Sequence, residues 1–324
     1  MARNHTLLRA NKDKQDEFYT AYKDIEDEMP FYEKHFIQKV IYCNCDDAKQ
    51  SNFFKYFVNN FHQLRLKCLV ASCFKPQFTS LFDTTPHEKA YKATFMGNLL
   101  SDGTPEIITQ DLKSDGDFRS KECVELLKQA DIVITNPPFS LFREFVTQLA
   151  RHKKQFLILG NMNAITCKIC FELLMRKRIK LGRNAGTGNY EFQVPEDYVL
   201  RSPTQRIDEK GTKYLTVNGI RWFTNLDYED HRPFLELTAK YTPDKYPKYD
   251  NYDAINISNV CDIPCDYYDA MGVPISFLDK HNPNQFEILG INKTTWHNPY
   301  RGDALTLNGE PLYARILIRR IRAN

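Results

Sequence analysis

The chain has 324 residues, 42% hydrophobic and 26% charged, enough for a full α/β domain and a smaller appendage. A formal net charge of only +3 excludes binding of nucleic acid by global charge, so any such affinity must come from local patches. No apolar run approaches the ~20 residues of a membrane span, and the start, with Arg3, His5 and Arg9, lacks the apolar core of a signal peptide.

Residues 1 to about 30 are polar. Within them Asp16-Glu17-Phe18-Tyr19-Thr20 reads as an acidic, aromatic turn or as an arm packing on a sheet. A first strand is expected over Lys39 to Cys43, running into Cys43-Asn44-Cys45-Asp46-Asp47. Ser51 is a predicted N-cap, and Phe53, Phe54, Phe57, Val58 and Phe61 recur at helical spacing as a core-facing stripe. The loop from Asn44 to Gln50 contains no glycine, so the glycine-rich fingerprint of nicotinamide cofactors is missing. A second buried strand spans Cys68 to Phe74. A polar hairpin insertion with Tyr91, Thr94 and Phe95 then extends to about Gly103, and Glu106 to Thr109 fits a third strand. Asp115-Gly116-Asp117-Phe118-Arg119 has the composition of a turn entering the helix of Leu126 and Leu127.

The stretch Asp131-Ile132-Val133-Ile134-Thr135-Asn136-Pro137-Pro138-Phe139 carries the most chemistry. Its β-branched run predicts a strand buried on both faces of a parallel sheet, stopped by two prolines that cannot donate to a ladder. Ser140 is a predicted N-cap for a helix whose face is Leu141, Phe142, Phe145, Val146 and Leu149. The carboxyl end of such a strand is where open α/β sheets bind ligands. The Asn136 side-chain oxygen and the Pro137 carbonyl are two acceptors at fixed geometry, suited to a planar –NH2 group, and Phe139 offers a face to a conjugated ring.

Gln155 to Leu159 is a fifth predicted strand, ending in Gly160-Asn161-Met162-Asn163, and Arg178 to Leu181 a sixth. Nine cysteines without a signal peptide predict reduced thiols in a cytosol. Cys167-x-x-Cys170 and Cys261-x-x-x-Cys265 have enough thiolates for a zinc ion. The first pair, however, falls in an expected amphipathic helix from Asn163 to Arg176, so structural thiols and no metal are expected. A loop with Arg183, Asn184, Asn189 and Tyr190 follows, and then Tyr214–Val217 and Gly219–Thr224 around Asn218-Gly219, the pattern of a hairpin. From about residue 230, Lys240, Tyr241, Lys245, Tyr246, Lys248, Tyr249 and Tyr252 interleave bases with aromatics. At the end, Arg315, Arg319, Arg320 and Arg322 alternate with aliphatics as a strand with one basic face.

The tetrad Asn136 to Phe139 resembles the catalytic motif of amino-methyltransferases that use S-adenosylmethionine. In such enzymes the target nitrogen takes up the cofactor's methyl directly. The resemblance implies cofactor contacts by Phe18 and Tyr19, with Thr20 bonding the carboxylate, by Asn44 and Asp46 toward the ammonium, and by Asp117 and Phe118 at the adenine. The acid that normally holds the ribose after the second strand is replaced by Ser72, Cys73 and Lys75. The same tetrad occurs in enzymes that methylate a release-factor glutamine or a ribosomal RNA guanine, and a non-catalytic DNA-binding module is the further alternative.

The combination of DEFYT (16–20), CNCDD (43–47), SNFFKYF (51–57), DGDFRS (115–120), TNPPFSLFRE (135–144), LGNMNAI (159–165), WFTNL (222–226) and RILIRR (315–320) is similar to the EcoRI-type adenine-specific DNA methyltransferases. The likeness covers essentially the whole chain. It implies a Rossmann-like α/β methyltransferase fold with a mostly parallel seven-stranded sheet and helices on both faces. Residues 1–230 would bind S-adenosylmethionine and catalyse. Residues 231–324 would recognise the DNA target, with further recognition loops in 183–218. It also implies methylation of adenine N6 in a short duplex site, a cytoplasmic monomer, and a restriction endonuclease sharing that site. Next to such a site Arg183, Asn184, Asn189 and Tyr190 are expected to grip DNA around an extruded base, and Lys245, Lys248 and Arg319 to meet phosphates, with the tyrosines of the Lys/Tyr segment packing on sugar or base.

Overall fold

A computed structural model describes residues 19–75, 89–184, 189–194, 205–209, 211–229, 232–292 and 304–322. In chain order come β1 (Tyr19–Thr20), α1 (Tyr22–Glu28), β2 (Val40–Asn44), α2 (Asn52–Asn59) and β3 (Cys68–Ser72). Then follow β4 (Tyr91–Leu99), β5 (Pro105–Asp111), α3 (Lys121–Gln129), β6 (Ile132–Thr135), α4 (Phe142–Arg151) and β7 (Gln155–Asn161). After α5 (Lys168–Met175) and β8 (Lys180–Leu181) lie β9 (Asn189–Gln193), β10 (Gln205–Ile207), β11 (Lys213–Asn218) and β12 (Ile220–Thr224). The chain closes with β13 (Ile255–Asn256), β14 (Met271–Pro274), β15 (Phe286–Asn292), β16 (Thr306–Leu307), β17 (Glu310–Pro311) and β18 (Arg315–Arg320). None of the described helices is long and apolar enough to cross a membrane.

Two compact units result. One holds Met1–Asn161 and Gly182–Tyr228, the other Met162–Leu181 and Glu229–Asn324, so residues 162–181 fold with the later part of the chain.

In the first unit the large sheet runs β5-β4-β3-β2-β6-β7-β12. β3, β2, β6 and β7 are mutually parallel. The β6 run of Ile132, Val133, Ile134 and Thr135 is buried at every position, as a strand covered on both faces must be. The flanks are antiparallel: β4 on β3, β5 on β4, and β12 on β7. Among the described residues the sheet is therefore mixed, not mostly parallel. The predicted third strand lies within β5. A tight turn at Leu100–Thr104, with Gly103 at φ +83°, leaves no room for a crossover helix, so β5 returns antiparallel to β4.

The expected hairpin around Asn218-Gly219 does not form. Gly219, at φ +78°, does turn the chain, but β11 pairs with β9 and β10 in a separate sheet ordered β1-β9-β11-β10, while β12 pairs with β7. β12 is buried at all five positions, as a strand within the large sheet. Ser140 is not an N-cap either: a 3-10 turn over Phe139–Leu141 precedes α4, which starts at Phe142. Ser51 does cap α2, accepting from the Phe53 and Phe54 amides at 3.1 and 3.2 Å.

In the second unit the predicted helix from Asn163 is a 3-10 turn over Met162–Thr166 followed by α5. Its sheet is ordered β13-β14-β18-β15. β18 lies between two strands, and Ile316, Leu317 and Ile318 are all buried, so it is a central strand whose arginines sit toward its ends, not an alternating strand with one basic face. Two of the four tyrosines of the Lys/Tyr segment are core groups, while Tyr241 and Tyr252 are partly buried. Tyr246 and Tyr249 are buried, and the Tyr249 hydroxyl donates to Asn256 Oδ1 at 2.9 Å above Gly272, where a Cβ would lie 2.2 Å from it. Expected packing of those two rings on nucleic acid is overturned by that burial.

Candidate active site

The Asn-Pro-Pro-Phe tetrad emerges where β6 ends. Pro137 is buried, while Asn136, Pro138 and Phe139 are partly open. The helix that follows is seated by Gly160 of neighbouring β7. A Cβ there would come within 2.3 Å of the Phe142 ring, which also packs on Phe223 at 5.2 Å. The tetrad thus lies between a buried strand and a helix start fixed by a close glycine contact.

Thr135, the last β6 residue, ties the tetrad to the loop after β2. Its single hydroxyl hydrogen is shared between the Asn44 carbonyl and Asp46 Oδ2, the latter at 2.7 Å. Asp46 Oδ1 accepts from the Ser51 hydroxyl at 2.9 Å. Next in the chain, Asn52 donates from Nδ2 to the Thr20 carbonyl at 2.8 Å. Thr20 pairs across strands with Phe192 of β9, whose ring meets Phe139 edge-on at 5.9 Å. One succession of contacts therefore joins Thr20, Asn52, Ser51, Asp46, Thr135 and the tetrad. Burial pushes the Asp46 carboxyl up to about 7, with the Thr135 and Ser51 hydroxyls pulling against it and the neighbouring Asp47 adding to the rise.

Two buried polar atoms around this succession have no hydrogen-bond partner: Thr20 Oγ1 and Asn44 Nδ2. A buried donor left unmade costs about 1–3 kcal/mol, so such groups mark places for a ligand. A hydroxyl that can donate and an amide that can donate suit the carboxylate of an amino-acid moiety. The residues present therefore fit the methionine half of S-adenosylmethionine.

The remaining expected cofactor residues are placed less simply. Tyr19 pairs with Gln193, and Phe18 lies outside the described residues. The turn with Asp117 is packed against the end of β3, since a Cβ on Gly116 would fall 2.0 Å from the Cys73 carbonyl. Asp117 accepts from Arg119 at 2.9 and 2.7 Å. Burial tends to raise its carboxyl, but these bonds win and hold it below the usual carboxylate range. Phe118 is buried edge-on to Phe145 at 5.1 Å, a core position. The turn leads into α3, capped by Ser120, as expected of a helix-entry turn. Lys75, where an acid was missing, is 3.1 Å from Asp47, and Asp47 also accepts from Tyr91 at 2.5 Å.

Of the residues expected to meet DNA, Asn184 and Asn189 are exposed and Arg183 partly so, whereas Tyr190 is buried and stacked on Phe192 at 6.3 Å. In the second unit Lys245 pairs with Asp262 at 3.2 Å, Lys248 with Asp253 at 2.8 Å and Arg319 with Glu287 at 2.7 Å. These pairs are exposed and worth little. Among the described residues no group of three or more His, Cys, Asp or Glu is placed to hold a metal ion, and no disulfide joins the nine cysteines. Thr135, Asn52, Phe192 and Gly160 are site residues that reading the sequence missed. Phe192 had only the strand spacing of Tyr190 and Phe192 as a signal.

A buried parallel strand ending in Asn-Pro-Pro-Phe, beside a glycine-free polar loop with open donors, defines an amino-methyltransferase. The family model for the adenine-specific methyltransferase EcoRI matches residues 6–321, and the chain belongs to that family: it is an adenine-specific DNA methyltransferase. It is 46% identical to the Type II methyltransferase M.EcoRI of Escherichia coli over 99% of both chains. It is also 37% identical to M.MgeORF184P of Mycoplasma genitalium, over 98% of this chain and 99% of the relative. The identity is again 37% to M.MpnI of Mycoplasma pneumoniae, over 97% and 98%. No solved structure matches it.

Proposed function

We propose that this chain methylates N6 of an adenine within a short duplex DNA site, as the modification half of a restriction–modification system. It works as a cytoplasmic monomer, one strand per visit, and shares its site with a cognate endonuclease. The observation that carries this reading is the tetrad at the end of β6, fastened through Thr135 and Asp46 to the loop after β2, around which Asn44 and Thr20 keep open donors.

A paired adenine has its amine engaged and out of reach, so the base is rotated out of the stack. The Asn136 side-chain oxygen and the Pro137 carbonyl accept the two N6 hydrogens, and Phe139 stacks on the ring. Drawing both hydrogens to one side leaves the nitrogen lone pair directed away from the acceptors. Bound S-adenosylmethionine supplies the electrophilic methyl group. Thr20 holds its carboxylate, Asn44 and Asp46 its amino-acid end beside the N-terminus of α2, and Tyr19 packs along it. Asp117, which keeps acceptor capacity beside Arg119, receives the adenine amine, with Phe118 behind the turn. Residues 231–324 and the loops in 183–218 recognise the DNA target. Orientation supplies most of the rate.

Asn136→Ala tests the assignment. Turnover should fall by about 10³-fold or more while S-adenosylmethionine affinity, measured by calorimetry, stays within about threefold. Near-wild-type turnover in that variant removes Asn136 from the reaction.

A further inference from the structure

Glu28, the last residue of α1, is fully buried, yet it takes no part in the contacts around the tetrad. Its Oε1 accepts from the Tyr32 hydroxyl at 2.6 Å and from the Arg183 amide at 2.8 Å; its Oε2 accepts from the Asn184 amide at 2.8 Å. The Tyr32 oxygen accepts from the Arg183 amide as well, at 3.0 Å. Tyr32 is buried and held edge-on by Tyr228 at 5.6 Å, and the Tyr228 hydroxyl donates to the Gly182 carbonyl at 3.4 Å. Gly182 itself admits no side chain: a Cβ would lie 2.4 Å from Glu28 Oε1 and 2.5 Å from Trp222 Cβ. The backbone from 182 to 184 is thus gripped by a buried carboxylate, a tyrosine and a strand partner, since the Gly182 amide donates to the Trp222 carbonyl at 2.8 Å.

Burying a carboxylate is costly even when it is hydrogen-bonded, and apolar packing would fasten a passive loop base more cheaply. What the grip presents is an open surface. The ring of Phe31, one residue before Tyr32, is 41% exposed, and the Arg183 guanidinium lies over it at 5.3 Å. A guanidinium stacked on an exposed aromatic ring offers charge to a phosphate and a flat face to a base or sugar.

We propose that Phe31 and Arg183 form a DNA-contacting surface beside the extruded adenine, and that Glu28 and Tyr32 are positioning residues that hold Arg183 and Asn184 in register for it. This rests on the reading that the segment beginning at Arg183 touches DNA. Phe31 then becomes a binding residue, and the turn between α1 and β2 acquires a role in substrate recognition.

The test uses the full chain and a duplex oligonucleotide carrying the site mapped from its own methylated DNA. Phe31→Ala, Arg183→Ala and Glu28→Gln are compared by kcat/KM for that duplex, by S-adenosylmethionine affinity and by melting temperature. Phe31 is exposed, so its variant is expected to fold. Phe31→Ala and Arg183→Ala should each lose about fivefold or more in kcat/KM, with cofactor affinity within about twofold. Glu28→Gln, which replaces one of the two accepting oxygens by an –NH2 group and so sets a donor against either the Arg183 or the Asn184 amide, should lose about tenfold or more with cofactor affinity within about threefold. If Arg183→Ala uses the duplex as well as wild type, the loop reading itself fails and the inference with it. If Arg183→Ala is weakened while Phe31→Ala and Glu28→Gln are not, the loop reading stands and the inference is overturned. Equal losses of cofactor affinity and duplex use in Glu28→Gln make that carboxylate merely structural and also overturn it.

Discussion

Gly160→Ala is the sharpest probe of how the tetrad is held. The added Cβ would sit 2.3–2.9 Å from three atoms of the Phe142 ring, against an ordinary contact of at least 3.4 Å. The ring must therefore retreat by about 1 Å. It cannot do so alone, because it is buried and packed on Phe223. Phe142 starts α4 only three residues after Phe139, so the retreat is passed to the tetrad. Overpacking of this kind costs roughly 1–3 kcal/mol, a fall in Tm of about 2–10 °C. The same 1 Å at reacting groups costs about 10²-fold in rate. Single-turnover methyl transfer at saturating cofactor reads the rate directly, and calorimetry reads cofactor affinity, which should stay within about threefold. A variant that shows the stability loss but keeps wild-type turnover would refute the claim that Gly160 seats the tetrad through Phe142.

Thr135→Val keeps shape but leaves Asp46 Oδ2 and the Asn44 carbonyl without their donor, and should cost about 2–4 kcal/mol in denaturant unfolding; a loss below about 0.5 kcal/mol would show that the hydroxyl is dispensable. Asp46 has a folded-state value raised from 3.8 to about 7, so its contribution is fully present below about pH 4 and lost as pH rises to 7. Relative to Asp46→Asn, the wild type should therefore lose stability across that window, on the order of 4 kcal/mol at most; a pH-independent difference would count against the buried, raised carboxyl. Lys245→Ala and Lys248→Ala should each lower the slope of log affinity for duplex DNA against log salt by about 1, and unchanged slopes would place those lysines away from phosphates.

The parallel heart of the fold was legible because its cause is local. Val40 to Asn44 and Ile132 to Thr135 are short apolar runs closed by polar residues, and each became a buried strand close to its expected ends. The tetrad was legible because two prolines allow few alternatives. Pairing between distant strands was not. Asn218-Gly219 has the composition of a hairpin turn, and only the cover available to β12 sends its two strands into different sheets. The Lys/Tyr segment misled for a related reason. Tyrosine serves equally as core and as surface, and Tyr249 is claimed by Asn256 and Gly272, neither of which its own neighbourhood reveals. Thr20 could be suspected at the site, but its link through Asn52 and Phe192 depends on β1 joining β9, a pairing across more than 170 residues of chain that no spacing encodes.

The central claim is that the tetrad accepts the amine of an adenine extruded from duplex DNA. Transfer of labelled methyl from S-adenosylmethionine, with duplex DNA, RNA and protein offered in parallel and the product hydrolysed to nucleosides and amino acids, tests it most directly. The account predicts label in duplex DNA alone, as N6-methyladenine, and none when Asn136 is alanine. Label on cytosine, on RNA or on a protein amide would contradict it.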